Sequence, residues 1–244
     1  MDLRKQPIGQ VSLEKGTRAT IPLEKQDSKL TVEASLVWDG GSTVRRARGA
    51  DLDLYALYVP AAEAVRSPDL QPGYVFEHLP SGLFRRGDKE ARKAQSAALA
   101  TRVDAGKAVY WNNLGSLKQA PFIRLSGDSK RPGRETVRIK RADQQGYALI
   151  CAYSALGNGV GSFRSYGAHA EVTDGRGSTV TVPLYEDNNY AYWVVIAFVD
   201  FTSPDGVAIQ HVEQYSKRHS ERRPVLHTDG TIILDKGPAE FKRR

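Results

Sequence analysis

Strict alternation governs residues 30–38, where Leu30, Val32, Ala34, Leu36 and Trp38 fall on one face and Thr31, Glu33 and Ser35 on the other. A two-residue period is the signature of a half-buried β-strand, because successive side chains of a strand point to opposite sides. Comparable short segments recur at 52–59, 108–111, 121–125, 135–139, 147–153, 163–172, 178–184, 190–201 and 207–212. Turn-forming stretches such as Asp39-Gly40-Gly41, Gly157-Asn158-Gly159 and Asp174-Gly175-Arg176-Gly177 separate them. Many short strands at close spacing, with no helices alternating between them, predict an all-β antiparallel β-sandwich and argue against a parallel α/β sheet. Within the most apolar segment, Trp193, Val195 and Ala197 share one face and Tyr192, Val194, Ile196 and Phe198 the other, which predicts a central strand buried on both sides.

One stretch breaks the pattern. Residues 88–103 are rich in Ala, Lys, Arg and Gln, with Asp88 placed to cap the start and Gly106 just beyond the end. A helix is expected there, inside an insertion spanning about residues 60–106. The expected organisation is a sandwich domain over 1–212 that carries this insertion, followed by a basic C-terminal extension over 213–244. That extension either docks as a hairpin through Val225, Leu226 and residues 232–234 or trails loosely.

The longest apolar run, 191–199, is about half of what a membrane-spanning helix needs, and the amino terminus, with Asp2, Arg4 and Lys5, has no apolar signal region. The protein is expected to be neither exported nor membrane-inserted. A single cysteine, Cys151, rules out an intrachain disulfide and fits a reducing, cytoplasmic compartment. Its apolar surroundings predict an inert core thiol rather than a redox centre. A net charge of +7 permits attraction to nucleic acid or an acidic partner. Lys217, Arg218, Arg222 and Arg223 are the best placed cations for such a contact, diluted by Glu213, Glu221, Asp235 and Glu240. The five histidines are dispersed without metal-ligand spacing, and no serine sits in a nucleophile elbow, so no catalytic residue is assigned. The glycine-rich stretch 157–161 is followed by residues that read as strand, which favours a turn over a phosphate loop.

The acidic pair is the more specific chemical signal. Asp51 and Asp53 sit two apart in a strand-like segment, so both carboxylates project from one face and repel each other. Either neighbouring Lys or Arg side chains at a sheet edge offset that repulsion, or a hard divalent cation taking six to eight oxygen ligands does. Asn112 and Asn113, the loop Gly127-Asp128-Ser129 and Glu135 supply further oxygens. An all-oxygen set without convergent His or Cys suits calcium or magnesium better than zinc.

Taken in order, Val11-Ser12-Leu13-Glu14-Lys15-Gly16, Leu36-Val37-Trp38-Asp39, Asp51-Leu52-Asp53-Leu54, Tyr110-Trp111-Asn112-Asn113-Leu114 and Gly127-Asp128-Ser129 resemble the landmarks of the TerD tellurium-resistance family, over about residues 11–212. The resemblance implies a β-sandwich that binds calcium through the Asp-X-Asp strand and the Gly-Asp loop. It also implies a non-enzymatic role in stress response and tellurium resistance, exercised with protein partners. By that resemblance Asp51, Asp53, Asp128 and Glu135 are the carboxylate ligands, with Asn112 or Asn113 adding an oxygen. Family members continue the Gly-Asp loop with acidic residues, whereas this chain has Lys130, Arg131 and Arg134 there. Added positive charge disfavours a cation. The competing expectation is therefore a metal-independent scaffold whose basic surface binds an acidic partner or polyanion.

Overall fold

The alternating segment is a strand, β3 (Thr31–Trp38), lying inside a seven-stranded sheet. The protein is seen in a computed structural model that describes residues 7–48, 51–66, 71–76, 102–104, 106–129, 132–158 and 161–240. Across the first sheet the order is β1 (Gly9–Ser12), β12 (Ser178–Pro183), β11 (His169–Thr173), β3, β9 (Gly133–Lys140), β8 (Ile123–Leu125) and β7 (Gly115–Ser116). The second sheet runs β2 (Arg18–Ile21), β14 (Val207–Tyr215), β13 (Trp193–Asp200), β10 (Gln145–Ser154), β4 (Leu52–Pro60) and β6 (Ala108–Val109). Apart from β1 against β12, every pair in these two sheets is antiparallel. The protein is thus an all-β sandwich.

Alternation decides which side chains meet between the layers. From β3 come Val32, Ala34, Leu36 and Trp38, from β9 Val137 and Ile139, and from the facing sheet Leu52, Leu54, Ala56, Ala148, Ile150 and Ala152. The second sheet has an apolar outer face as well, formed by Tyr55, Leu57, Val59, Tyr147, Leu149, Cys151, Tyr153, Trp193, Val195 and Phe198. A sheet that is apolar on both sides needs a third layer. That layer is a small sheet in which β15 (Val225–Leu226) pairs antiparallel with β16 (Ile232–Ile233), and β16 pairs in parallel with β5 (Val75–Phe76). The tail therefore docks as a hairpin, and the insertion contributes a strand to it. Strand β14 runs on to Tyr215, past the expected boundary at 212.

Two local expectations change. In β13 the register shifts between Val195 and Ala197, and the extra residue, Ile196, switches the faces. Ile196 and Ala197 both enter the interlayer core, and Phe198 joins Trp193 and Val195 on the outer face, instead of opposing them. Residues 163–172 are not one strand. Phe163 and Tyr166 enter the core three residues apart through a 3₁₀ turn (Arg164–Tyr166), which Gly167 closes at φ 68°, and the strand begins only at His169. The helix expected over 88–103 lies outside the described residues except for Arg102 and Val103, which are not helical. A short helix, α1 (Thr43–Arg48), follows β3, with no signal in the alternation. Among the described residues no helix is long and apolar enough to cross a membrane.

Candidate metal centre

The site forms where β4 begins. Asp53 pairs in register with Tyr153 at the end of β10, and Leu52 with Ser154. Ahead of the strand, the Asp51 backbone N–H donates to Asn158 Oδ1 at 3.1 Å, while the Asn158 amide donates back to the Asp51 carbonyl and, at 3.1 Å, to Ser154 Oγ. Asn158, in the turn after β10, thus fixes the main chain that carries Asp51. The glycines flanking it gave a sequence signal only for a turn.

The loop between β8 and β9 brings Asp128 to the same place. One carboxylate oxygen each from Asp51, Asp53 and Asp128 lie within 4.8 Å of one another, with the first two buried and the third exposed. Among the described residues this is the one group of three or more His, Cys, Asp or Glu with metal-ligand spacing. Two unit charges about 5 Å apart repel by roughly 3 kcal/mol at an effective dielectric of about 20, so three such pairs make a costly arrangement in the absence of positive charge.

Glu135 stands beside this trio without being one of its members. Alternation along β9 turns Glu135 inward with Val137 and Ile139 and sends Arg134 and Arg138 outward. Each oxygen of the buried carboxylate accepts one backbone N–H: Oε2 from Leu54 at 2.8 Å and Oε1 from Ser129 at 2.7 Å. Burial raises its pKa from 4.5 to about 8; the two N–H donors oppose that rise, and the nearby Asp53 and Asp128 charges add to it. The outward turn also places Arg134 on the far face of its sheet, paired with Glu171. One of the three cations that weigh against an ion in the sequence is therefore directed away from the carboxylates. The other two, Lys130 and Arg131, lie outside the described residues.

The aromatic motif lies alongside. Trp111 Nε1 donates to the Tyr55 hydroxyl at 3.0 Å, and the Tyr55 and Tyr110 rings stack at 4.7 Å. Desolvation pushes the Tyr55 phenol far up, with the Glu240 and Asp53 charges adding to it. Asn113 uses its amide Nδ2 within its own turn, donating to the Ala108 carbonyl at 2.8 Å. Asn112 is exposed in the same turn. Glu135 and Asn158 thus supply hydrogen bonds to the main chain of the site, while Asn113 bonds within its own turn.

The expected basic contact surface is divided. Lys217, Arg218 and Arg222 are exposed, with Arg218 over the Tyr190 ring at 4.5 Å and Arg222 donating to the Gly237 carbonyl at 3.2 Å. Arg223 is not a surface cation: it is 8% exposed, 3.8 Å from Glu240, and donates to the Gly106 carbonyl at 3.3 Å. The reason is the docked tail, whose inner side carries it. Cys151 is fully buried in the outer-face core, and burial pushes its thiol well above the usual range.

Fold and site together define a class: a β-sandwich with a third, capping layer and a trio of carboxylates at one end. The sequence matches no family model and no curated protein. The structure is similar to a crystal structure of a homologue of the telluride resistance protein TerD from Streptomyces coelicolor A3(2), with 14% identity and a TM-score of 0.40 over 76% of this chain and 89% of that one. It is also similar to a protein of unknown function, SAV2460, with 11% identity and a TM-score of 0.42 over 78% of this chain and 91% of that one.

Proposed function

We propose that the protein is a calcium-binding module of TerD type with no catalytic step of its own, in which the ion orders the loops at one end of the sandwich for docking by a partner in a stress response. The observation that supports this most is the convergence of Asp51, Asp53 and Asp128 to within 4.8 Å from positions as far as 77 residues apart in sequence (128 − 51). The donors are carboxylate oxygens, which suit a hard cation, and the ordered motifs that resemble the TerD landmarks point the same way. Asp51, Asp53 and Asp128 would hold the ion; its charge would offset their mutual repulsion and draw the 126–129 loop onto the start of β4. An ion that binds only this arrangement stabilises it by mass action.

The test is a calcium titration followed by calorimetry and thermal melting. Calcium at about 100 times its dissociation constant stabilises by roughly 2.7 kcal/mol, which for a domain of this size is about 5–10 °C in melting temperature. The Asp51→Asn, Asp53→Asn double variant is expected to lose that shift. An equal shift in the variant, or none in the parent at millimolar calcium, sinks the proposal.

A further inference from the structure

Resting on the cation reading just given, we infer that Glu135 is a positioning residue which holds the two halves of the carboxylate trio in register rather than a ligand of the ion. Those halves belong to different layers. Asp53 is on β4 in the second sheet, and Asp128 is on the loop that leaves β8 in the first. Strand β6 pairs with β4 at Ala56 and Leu57, so among the described residues the edge of β4 has no strand partner beside Leu54. By strand parity the Leu54 N–H points to the same side as Ala56, toward that edge. Glu135 reaches across from β9 and takes this N–H with Oε2, at 2.8 Å. Its other oxygen takes the N–H of Ser129, the residue after Asp128, at 2.7 Å.

One carboxylate thus bonds to the neighbour of Asp53 and to the neighbour of Asp128, and the distance between those two N–H groups is set by the width of a single carboxyl group. Each of its oxygens accepts one of these N–H groups, Glu135 is 1% exposed, and the carboxylate oxygens that lie within 4.8 Å of one another come from Asp51, Asp53 and Asp128 and not from Glu135. The arrangement is that of an outer-shell group, which orients ligands it does not replace, and the loss of such a group typically weakens metal affinity about 10–100-fold.

The experiment titrates the full chain with terbium(III), a calcium-sized ion whose luminescence lifetimes in H2O and D2O count its bound waters. Glu135→Gln keeps one acceptor oxygen and loses the other. It is expected to weaken terbium binding by about 10-fold or more while the water count stays that of the parent. A rise of one or more waters in the variant would make Glu135 a ligand and overturn the inference, as would an affinity within about twofold of the parent's. If Asp53→Asn abolishes binding in the same series while Glu135→Gln leaves it intact, the cation reading stands and only the positioning role falls. If the parent binds no terbium and no calcium, both fall. Should Glu135→Gln not fold, Glu135→Asp carries the test, since it keeps the charge but is too short to reach both N–H groups.

Discussion

Replacing Glu135 by glutamine in the metal-free protein is expected to remove a specific pH dependence of stability. In the folded protein the carboxyl holds its proton up to about pH 8, against 4.5 for the ordinary group. Between those values the folded protein binds a proton that the unfolded chain has released, so stability falls as pH rises, and the dependence flattens below 4.5 and above 8. At about 1.4 kcal/mol per pH unit the full span corresponds to roughly 5 kcal/mol, a large part of the stability of an ordinary domain. The source of the effect is physical: the group is sealed between two sheets beside Asp53 and Asp128, and two N–H donors do not outweigh the lost hydration. The assay is urea unfolding of parent and Glu135→Gln at pH 5, 6, 7 and 8 with EDTA present. The difference between the two proteins isolates this group from others that titrate, such as His211, whose pKa is lowered by burial and whose contribution runs the opposite way below pH 6.5. The parent is expected to lose stability relative to the variant by about 1 kcal/mol per pH unit from pH 5 to 8. A difference that is flat across this range refutes the reasoning.

Two further outcomes follow from the capping layer. Cys151 in the native protein is expected to react with a thiol reagent only as fast as the protein opens, because the thiol is fully buried and held protonated; complete labelling within seconds would contradict its placement. Arg223→Ala is expected to cost roughly 3 kcal/mol, lowering the melting temperature by about 6–12 °C, because it leaves Glu240 and the Gly106 carbonyl without their buried partner. A loss within about 0.5 kcal/mol, the size of an ordinary surface change, would show that the tail is not packed as described.

The strands were legible where burial and period agree. Residues 30–38 read correctly because one face of β3 meets the core and the other carries Glu33, which pairs with Arg138 across the strand. The bulge at Ile196 was not legible, since an all-apolar run has the same composition whichever way its side chains point. Asp51 and Asp53 could be paired from their spacing alone. Their meeting with Asp128 depends on how two sheets stack, which spacing does not encode; the Gly127-Asp128-Ser129 motif pointed to it only through the family resemblance. Glu135 was picked out for its oxygens, but its inward direction could be seen only once the register of β9 placed it beside Val137 and Ile139. The buried pair His211 and Glu213 gave no signal at all. It joins β14 to the loop at Tyr185 and Glu186, whose backbone N–H groups Glu213 Oε1 accepts at 2.5 and 2.7 Å, and the positive φ of Glu213 that directs it there has no mark in the sequence.

Strand β5 comes from the middle of the chain and β16 from near its end, yet they lie side by side, with Val75 against Ile232 and Phe76 against Ile233. The cap over Trp193 and Tyr153 is therefore assembled from two pieces encoded more than 150 residues apart (232 − 75 = 157). Each piece completes the other: without the tail β5 would lose its pairing to β16, and without β5 the tail hairpin would have an open edge. A perturbation of either segment is therefore expected to loosen both, since the cap is one structural unit written in two places.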